Sequence, residues 1–258
     1  LSTIALNQSI RIADNGRKRD PEHDYDYMPD PLQGKVVRVS MSGLVEMELF
    51  EPTDAGLTGE PFSPTSVIAF DENLGGNGDV WVADGYGKSL VHRYNSNGEY
   101  LLTIDGSKGS ERFDCPHSLW INTRSSTPEL LVADRANGRV QVFDMEGEYV
   151  RTIGSDYFDR PTVFSNYGDN LLVGELNARL TVVGPNDELV GYIGDNTPVS
   201  EEPAWPNEPD ENDIPRRTSR LVKGLFNSPH GITSDNDGNI YVSEWLIGGR
   251  YTKLRLIK

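Results

Sequence analysis

Cysteine is almost missing from this sequence: Cys115 is the single one in 258 residues, so no intrachain disulfide forms and the redox compartment stays open. Histidine is scarce as well, with four copies, so its recurrence at equivalent positions carries information. No run of 18 apolar residues occurs, and no basic region leading into an apolar stretch opens the sequence; neither a spanning helix nor a secretory leader is expected in it. Positive charge is in short supply, 24 Lys and Arg against 40 Asp and Glu, and the formal charge of -16 sets a field that disfavours nucleic acid and anionic membrane as partners. The acidity itself reads as a solubilising surface. No helix of useful length can be placed, yet 36% of residues are hydrophobic, enough to build one large all-β core.

What the sequence does have is a repeat. Each copy runs through an apolar strand, a tight polar turn, a strand ending in a small residue and an acid, a variable loop, a third strand, a turn centred on Gly or a polar residue, and a last strand. Copies start at Phe62 (FSPTSVIAFDENLGGNGDVWVADGYG), Phe113 (FDCPHSLWINTRSSTPELLVADRANG), Arg160 (RPTVFSNYGDNLLVGELNAR) and Phe226 (FNSPHGITSDNDGNIYVSEW). The N-terminal LSTIALNQSIRIAD, continued by GKVVRVSMSGLVEMELF, supplies a further copy, so that Asp14 corresponds to Asp84, Asp134, Glu175 and Glu244. Short strands parted by Gly, Asn and Asp turns are what a propeller blade requires. The expectation is one all-β, NHL-type β-propeller domain over residues 1–258, with five blades legible and a six-bladed architecture open. The final copy stops at its third strand. Residues 17–33 and 196–225, rich in Pro and acids, are expected to be long loop excursions. The repeated acids are expected to bind turn amides, and the small residues before them, Ala83, Ala133, Gly174 and Ser243, to allow close approach.

Two histidines break the pattern. After the Pro of the first strand the repeat has Thr65 and Thr162 in two copies but His117 and His230 in alternate ones. Two equivalent imidazoles are the start of a divalent-metal site, for which zinc suits nitrogen ligands; as isolated residues they are hydrogen-bonded turn residues. A third ligand from the first copy falls one residue before Leu1 or at Ser2. Tyr86 and Arg135 occupy the loop after the second strand of adjacent copies. There a phenol can take a proton and a guanidinium can grip a carboxylate; their plainer readings are a packed phenol and a surface ion pair. His92 is expected to be structural or exposed. His23, among Glu22, Asp24, Asp26 and Asp30, is expected to face water.

On these residues, VWVADGYGKSLVHRYNSNGEY, FDCPHSL and LLVADRANGRVQVF, and more loosely over 226–245, the sequence resembles the peptidyl-α-hydroxyglycine α-amidating lyases. The resemblance implies a zinc held by His117, His230 and a third histidine, with Tyr86 as catalytic tyrosine and Arg135 as active-site arginine. Arg17 then offers a substitute for a second, substrate-binding arginine. It implies cleavage of the C–N bond of an α-hydroxyglycine to give an amide and glyoxylate, a small-molecule or peptide substrate with a C-terminal carboxylate, and a secreted or periplasmic setting. Departures accompany it: Gly231 stands where an acid helps to bind a structural calcium, which makes that calcium doubtful, and Gly87, Leu131 and Val142 stand at disulfide positions. A different reading of the same repeat is a non-catalytic propeller that binds protein or glycan through its long loops.

Overall fold

A computed structural model describes residues 9–19, 27–29, 34–57 and 61–257. The acidic cluster around His23 and the position of Ser2 lie outside the described residues. Strand follows strand. In the first sheet β1 (Ser9–Asp14) leads, through a small hairpin of β2 (Arg17–Arg19) and β3 (Tyr27–Pro29), to β4 (Lys35–Ser40) and β5 (Val45–Leu49), in the order β1-β4-β5. The second sheet is β6 (Ser66–Phe70), β7 (Asp79–Asp84), β8 (Leu90–Tyr94) and β9 (Tyr100–Ile104). The third is β10 (Pro116–Asn122), β11 (Glu129–Asp134), β12 (Arg139–Asp144) and β13 (Tyr149–Ile153). The fourth is β14 (Pro161–Tyr167), β15 (Asn170–Glu175), β16 (Arg179–Val183) and β17 (Leu189–Ile193). The excursion after it is more ordered than a loop. It carries a 3-10 turn, Thr197–Glu201, and a hairpin of β18 (Glu208–Pro209) with β19 (Pro215–Arg216). The fifth sheet has the three strands that the sequence allowed, β20 (Pro229–Ser234), β21 (Ile240–Glu244) and β22 (Arg250–Leu254).

The chain divides into two compact units, 1–123 with 127–132 and 143–150, and 124–126 with 133–142 and 151–258; the division runs through the third sheet. In the first unit Val36 and Leu49 pack on Val80, Val82 and Tyr94, while Trp81 and Val91 pack on Leu119, Leu130, Val132 and Phe143. In the second, Leu172, Leu180 and Val182 pack on Phe226, Ile240 and Val242. The continuous apolar run of β7 is buried at every residue because it is covered on both faces, whereas outer strands such as β13 alternate. Small residues serve close approach as expected: a Cβ on Gly174 would lie 2.8 Å from Val163 Cγ1.

The repeated acids hold the blades at their connections. Glu175 accepts from the amides of Asp159 (2.5 Å) and Arg160 (3.2 Å), which precede the first strand of its own blade. Glu244 does the same for Asn227 (2.6 Å) and Ser228 (3.1 Å), and Asp84 for Ser63 (2.6 Å), while its second oxygen accepts from the Lys88 amide (2.8 Å) in the loop after β7. An arginine at the start of the third strand completes three of the ties: Arg139 on Asp134 at 2.7 Å, Arg179 on Glu175 at 2.7 Å, and Arg250 on Glu244. Asp14 differs; it is exposed, and among the described residues it accepts a local bond from the Gly16 amide at 3.1 Å. Removing the fully buried Glu175 carboxylate leaves two amides without their acceptor and the Arg179 guanidinium without its counter-charge. Glu175→Ala is therefore expected to cost about 3–5 kcal/mol in urea unfolding. Glu148→Ala, which breaks the exposed pair with Lys108, is expected to cost under about 1 kcal/mol.

Asp84 has no such arginine, and it shares the second sheet with His92. Of the two places expected for it, structural or exposed, His92 on β8 takes the structural one and is completely buried; its Nδ1 meets Thr103 Oγ1 at 2.8 Å and its Nε2 has no hydrogen-bond partner among the described residues. Burial first, and the Lys88 charge second, lower its pKa to about 4. Burial raises that of Asp84 to about 6, against its amide donors and Lys88. As pH falls below 6.5 the unfolded chain protonates at His92 before the fold does, so this group removes about 3 kcal/mol by pH 4. Asp84 acts oppositely: the fold takes its proton near pH 6 and the unfolded chain only near 3.8, returning a similar amount. Unfolding free energies measured from pH 6.5 to 4 are expected to rise on acidification for His92→Gln and to fall more steeply than wild type for Asp84→Asn.

Candidate functional site

The position that follows the first-strand Pro is where the blades differ. In the second blade Thr65 is absorbed by the fold: its hydroxyl donates to Pro116 O (3.0 Å) and Ala83 O (3.3 Å). In the third, His117 lies on β10, 7% exposed, with Nε2 3.2 Å from the Tyr86 hydroxyl and the two rings edge-on, 5.8 Å apart. Tyr86 is placed by its amide, which donates to Ser63 O at 3.2 Å, and by Gly85. A Cβ on Gly85 would stand 2.4 Å from Pro116 O, so only glycine lets the loop carrying Tyr86 run against the residue before His117.

The second unit repeats the contrast. Thr162 donates to Arg160 O at 2.9 Å. The register of β20 with β21 shifts between Pro229 and Gly231, and that of β14 with β15 between Pro161 and Val163. His230 and Thr162 are thus the residues within the irregularity, the usual means of re-aiming a side chain at a strand end. His230 is half-buried; burial, then the positive charge of Arg135, lower its pKa, which favours the neutral imidazole that can ligate a metal. Arg135 is half-buried in the loop after β11, where the adjacent Asp134 takes Arg139 and Asn137 (2.9 Å). Sequence reasoning missed Trp245. Its ring lies 6.4 Å from that of His230, and the signal was available, because Trp245 follows its repeat acid just as Arg135 does.

The structure thus brings Tyr86 to His117, while, after burial, the charge of Arg135 is felt at His230 as a lowered pKa. Among the described residues no three His, Cys, Asp or Glu side chains converge as a metal-ligand group. The third-ligand position and the Arg17 side chain lie outside the described residues. The departures from the lyase pattern have local reasons. A side chain on Gly231 would meet Ser243 Oγ at 2.5 Å, and one on Gly87 would meet Asp84 Oδ1 at 2.2 Å. Leu131 and Val142 are fully buried, apolar occupants of their strands.

No protein-family model matches the chain. Peptidyl-alpha-hydroxyglycine alpha-amidating lyase 1 of Drosophila melanogaster is 30% identical over 200 residues, which is 70% of this chain and 33% of that protein. Peptidyl-glycine alpha-amidating monooxygenase B of Xenopus laevis is 30% identical over 175 residues, 65% of this chain and 18% of that one. The chain therefore spans a third or less of the length of these relatives. Virginiamycin B lyase of Staphylococcus aureus superimposes with a TM-score of 0.50 over 97% of this chain and 75% of its own, at 10% identity, a likeness of fold alone. Five successive sheets of one plan, and relatives 30% identical over 65% to 70% of the chain, lead to one conclusion: the chain is an NHL-type β-propeller that resembles peptidyl-α-hydroxyglycine α-amidating lyase.

Proposed function

We propose that the protein is a carbon–nitrogen lyase acting on a peptide or small molecule that ends in α-hydroxyglycine, releasing the amide and glyoxylate. The observation that carries this reading is the hydrogen bond of Tyr86 to His117. A phenol hydroxyl held at hydrogen-bond distance from an imidazole nitrogen is an arrangement suited to proton transfer. Tyr86 takes the proton of the substrate α-hydroxyl as the C–O bond acquires double-bond character, the C–N bond breaks, and the proton passes to the departing amide nitrogen. Atoms balance without water or oxidant. Arg135 holds the carboxylate of the hydroxyglycine, fixing the carbon that becomes the aldehyde.

His117 and His230 are the imidazoles this reading assigns to a zinc. When bound, zinc supplies Lewis-acid polarisation of the hydroxyl. Tyr86 stands with its hydroxyl 3.2 Å from His117 Nε2, so the phenol lies beside one of the imidazoles that would hold the metal.

Variants separate these roles. Tyr86→Phe is expected to lower kcat by about 100-fold or more with bound zinc unchanged by elemental analysis. His117→Ala is expected to lose both zinc and turnover. Arg135→Ala is expected to raise KM by at least about 10-fold for a carboxylate substrate, consistent with loss of a charge-assisted pair. Turnover retained by His117→Ala without zinc would contradict the mechanism.

A further inference from the structure

Trp245 is a large aromatic residue, 48% exposed, at the repeat position held by Arg135 in the third blade and by the buried Leu176 in the fourth. Its exposure does not come from a loose loop. Its amide donates to Ser228 O at 2.9 Å, and its carbonyl accepts the Ser228 hydroxyl at 2.6 Å. The residues after it are fastened from the 196–225 excursion. Asn207 Oδ1 accepts from the Ile247 amide (2.9 Å), while Arg217 donates to Ile247 O (3.0 Å) and Gly249 O (2.6 Å). Trp205 Nε1 donates to Asn227 O at 3.0 Å, next to Ser228. Ser228 thus holds the Trp245 backbone and a second polar network holds the turn after it, while the indole stays half in water, tilted 40° to the His230 ring at 6.4 Å. A rigid aromatic face beside polar candidate residues gives a ligand contact area at little entropic cost.

We propose that Trp245 is the platform on which the substrate residue preceding the hydroxyglycine lies, giving the protein a preference for an apolar or aromatic side chain there. The proposal rests on the lyase reading for its substrate. The placement suits it: the indole stands 6.4 Å from His230, one of the two imidazoles that the lyase reading sets around the hydroxyglycine. The 196–225 excursion becomes the brace of the specificity residue.

The test compares N-acetyl-Phe-α-hydroxyglycine with N-acetyl-Ala-α-hydroxyglycine on zinc-loaded wild type, Trp245→Ala and Trp245→Phe. Expected for Trp245→Ala is a KM raised about 3- to 10-fold on the Phe substrate, with kcat kept and the Ala substrate changed less than about 2-fold; Trp245→Phe recovers most of the loss. Equal losses on both substrates, or none, overturn the platform while leaving the lyase reading intact. Fluorescence titration with unhydroxylated N-acetyl-Phe-Gly and N-acetyl-Ala-Gly reads the platform without chemistry. Quenching by the Phe ligand that is absent in Trp245→Phe supports it even if no hydroxyglycine is turned over, an outcome that removes the lyase reading alone; no quenching by either ligand overturns it.

Discussion

A buried carboxylate at the end of the second strand, in the second to the fifth blade, is the interaction on which the rest depends. A four-stranded antiparallel sheet specifies its own ladder but not where the chain enters it. Glu175 and Glu244 solve that by accepting the amides of the residues that lead into the first strand of the same blade, and Asp84 accepts the amide of Ser63 in the same way. Arginines at the head of the third strand neutralise most of these carboxylates, so the charge is buried as a hydrogen-bonded pair rather than alone. Entry loop, second strand and third strand are fixed to one another at one end of the blade.

That end is also where the candidate chemistry sits. His117 and His230 come directly after the prolines that begin first strands, and Tyr86, Arg135 and Trp245 come directly after the acids or one residue beyond. The ties that stabilise each blade therefore also position the side chains that a substrate would meet. Where the position is not needed, the fold absorbs it, as the hydroxyls of Thr65 and Thr162 do on backbone carbonyls. Rigid placement of this kind costs the protein exposed aromatic and half-buried imidazole surface, which a purely structural repeat has no reason to keep.

Much of this was legible in the sequence because the repeat compares the chain with itself. The acid after a small residue, and a histidine where sister copies have threonine, stand out without any relative. The arginine partners did not, since the loop between acid and third strand changes length from copy to copy and hides their equivalence. His92 could be placed only as structural or exposed, for a different reason. Alternation along β8 shows that one face is buried, but a strand covered on both faces buries the polar residue too, here with a hydroxyl, Thr103, on one nitrogen. Trp245 was overlooked because an aromatic residue in a repeat is ordinarily core, and only its exposure marks it out. The order within 196–225 depends on Arg217, Asn207 and Trp205 reaching residues distant in sequence, which no local pattern reveals.

The central claim is that this propeller cleaves α-hydroxyglycine, and product analysis tests it most directly. Zinc-reconstituted protein is incubated with a peptidyl-α-hydroxyglycine, and amide and glyoxylate are quantified against a zinc-only blank. The account predicts both products in a one-to-one ratio at a rate well above the blank. Stoichiometric zinc with no excess of either product over the blank would contradict it.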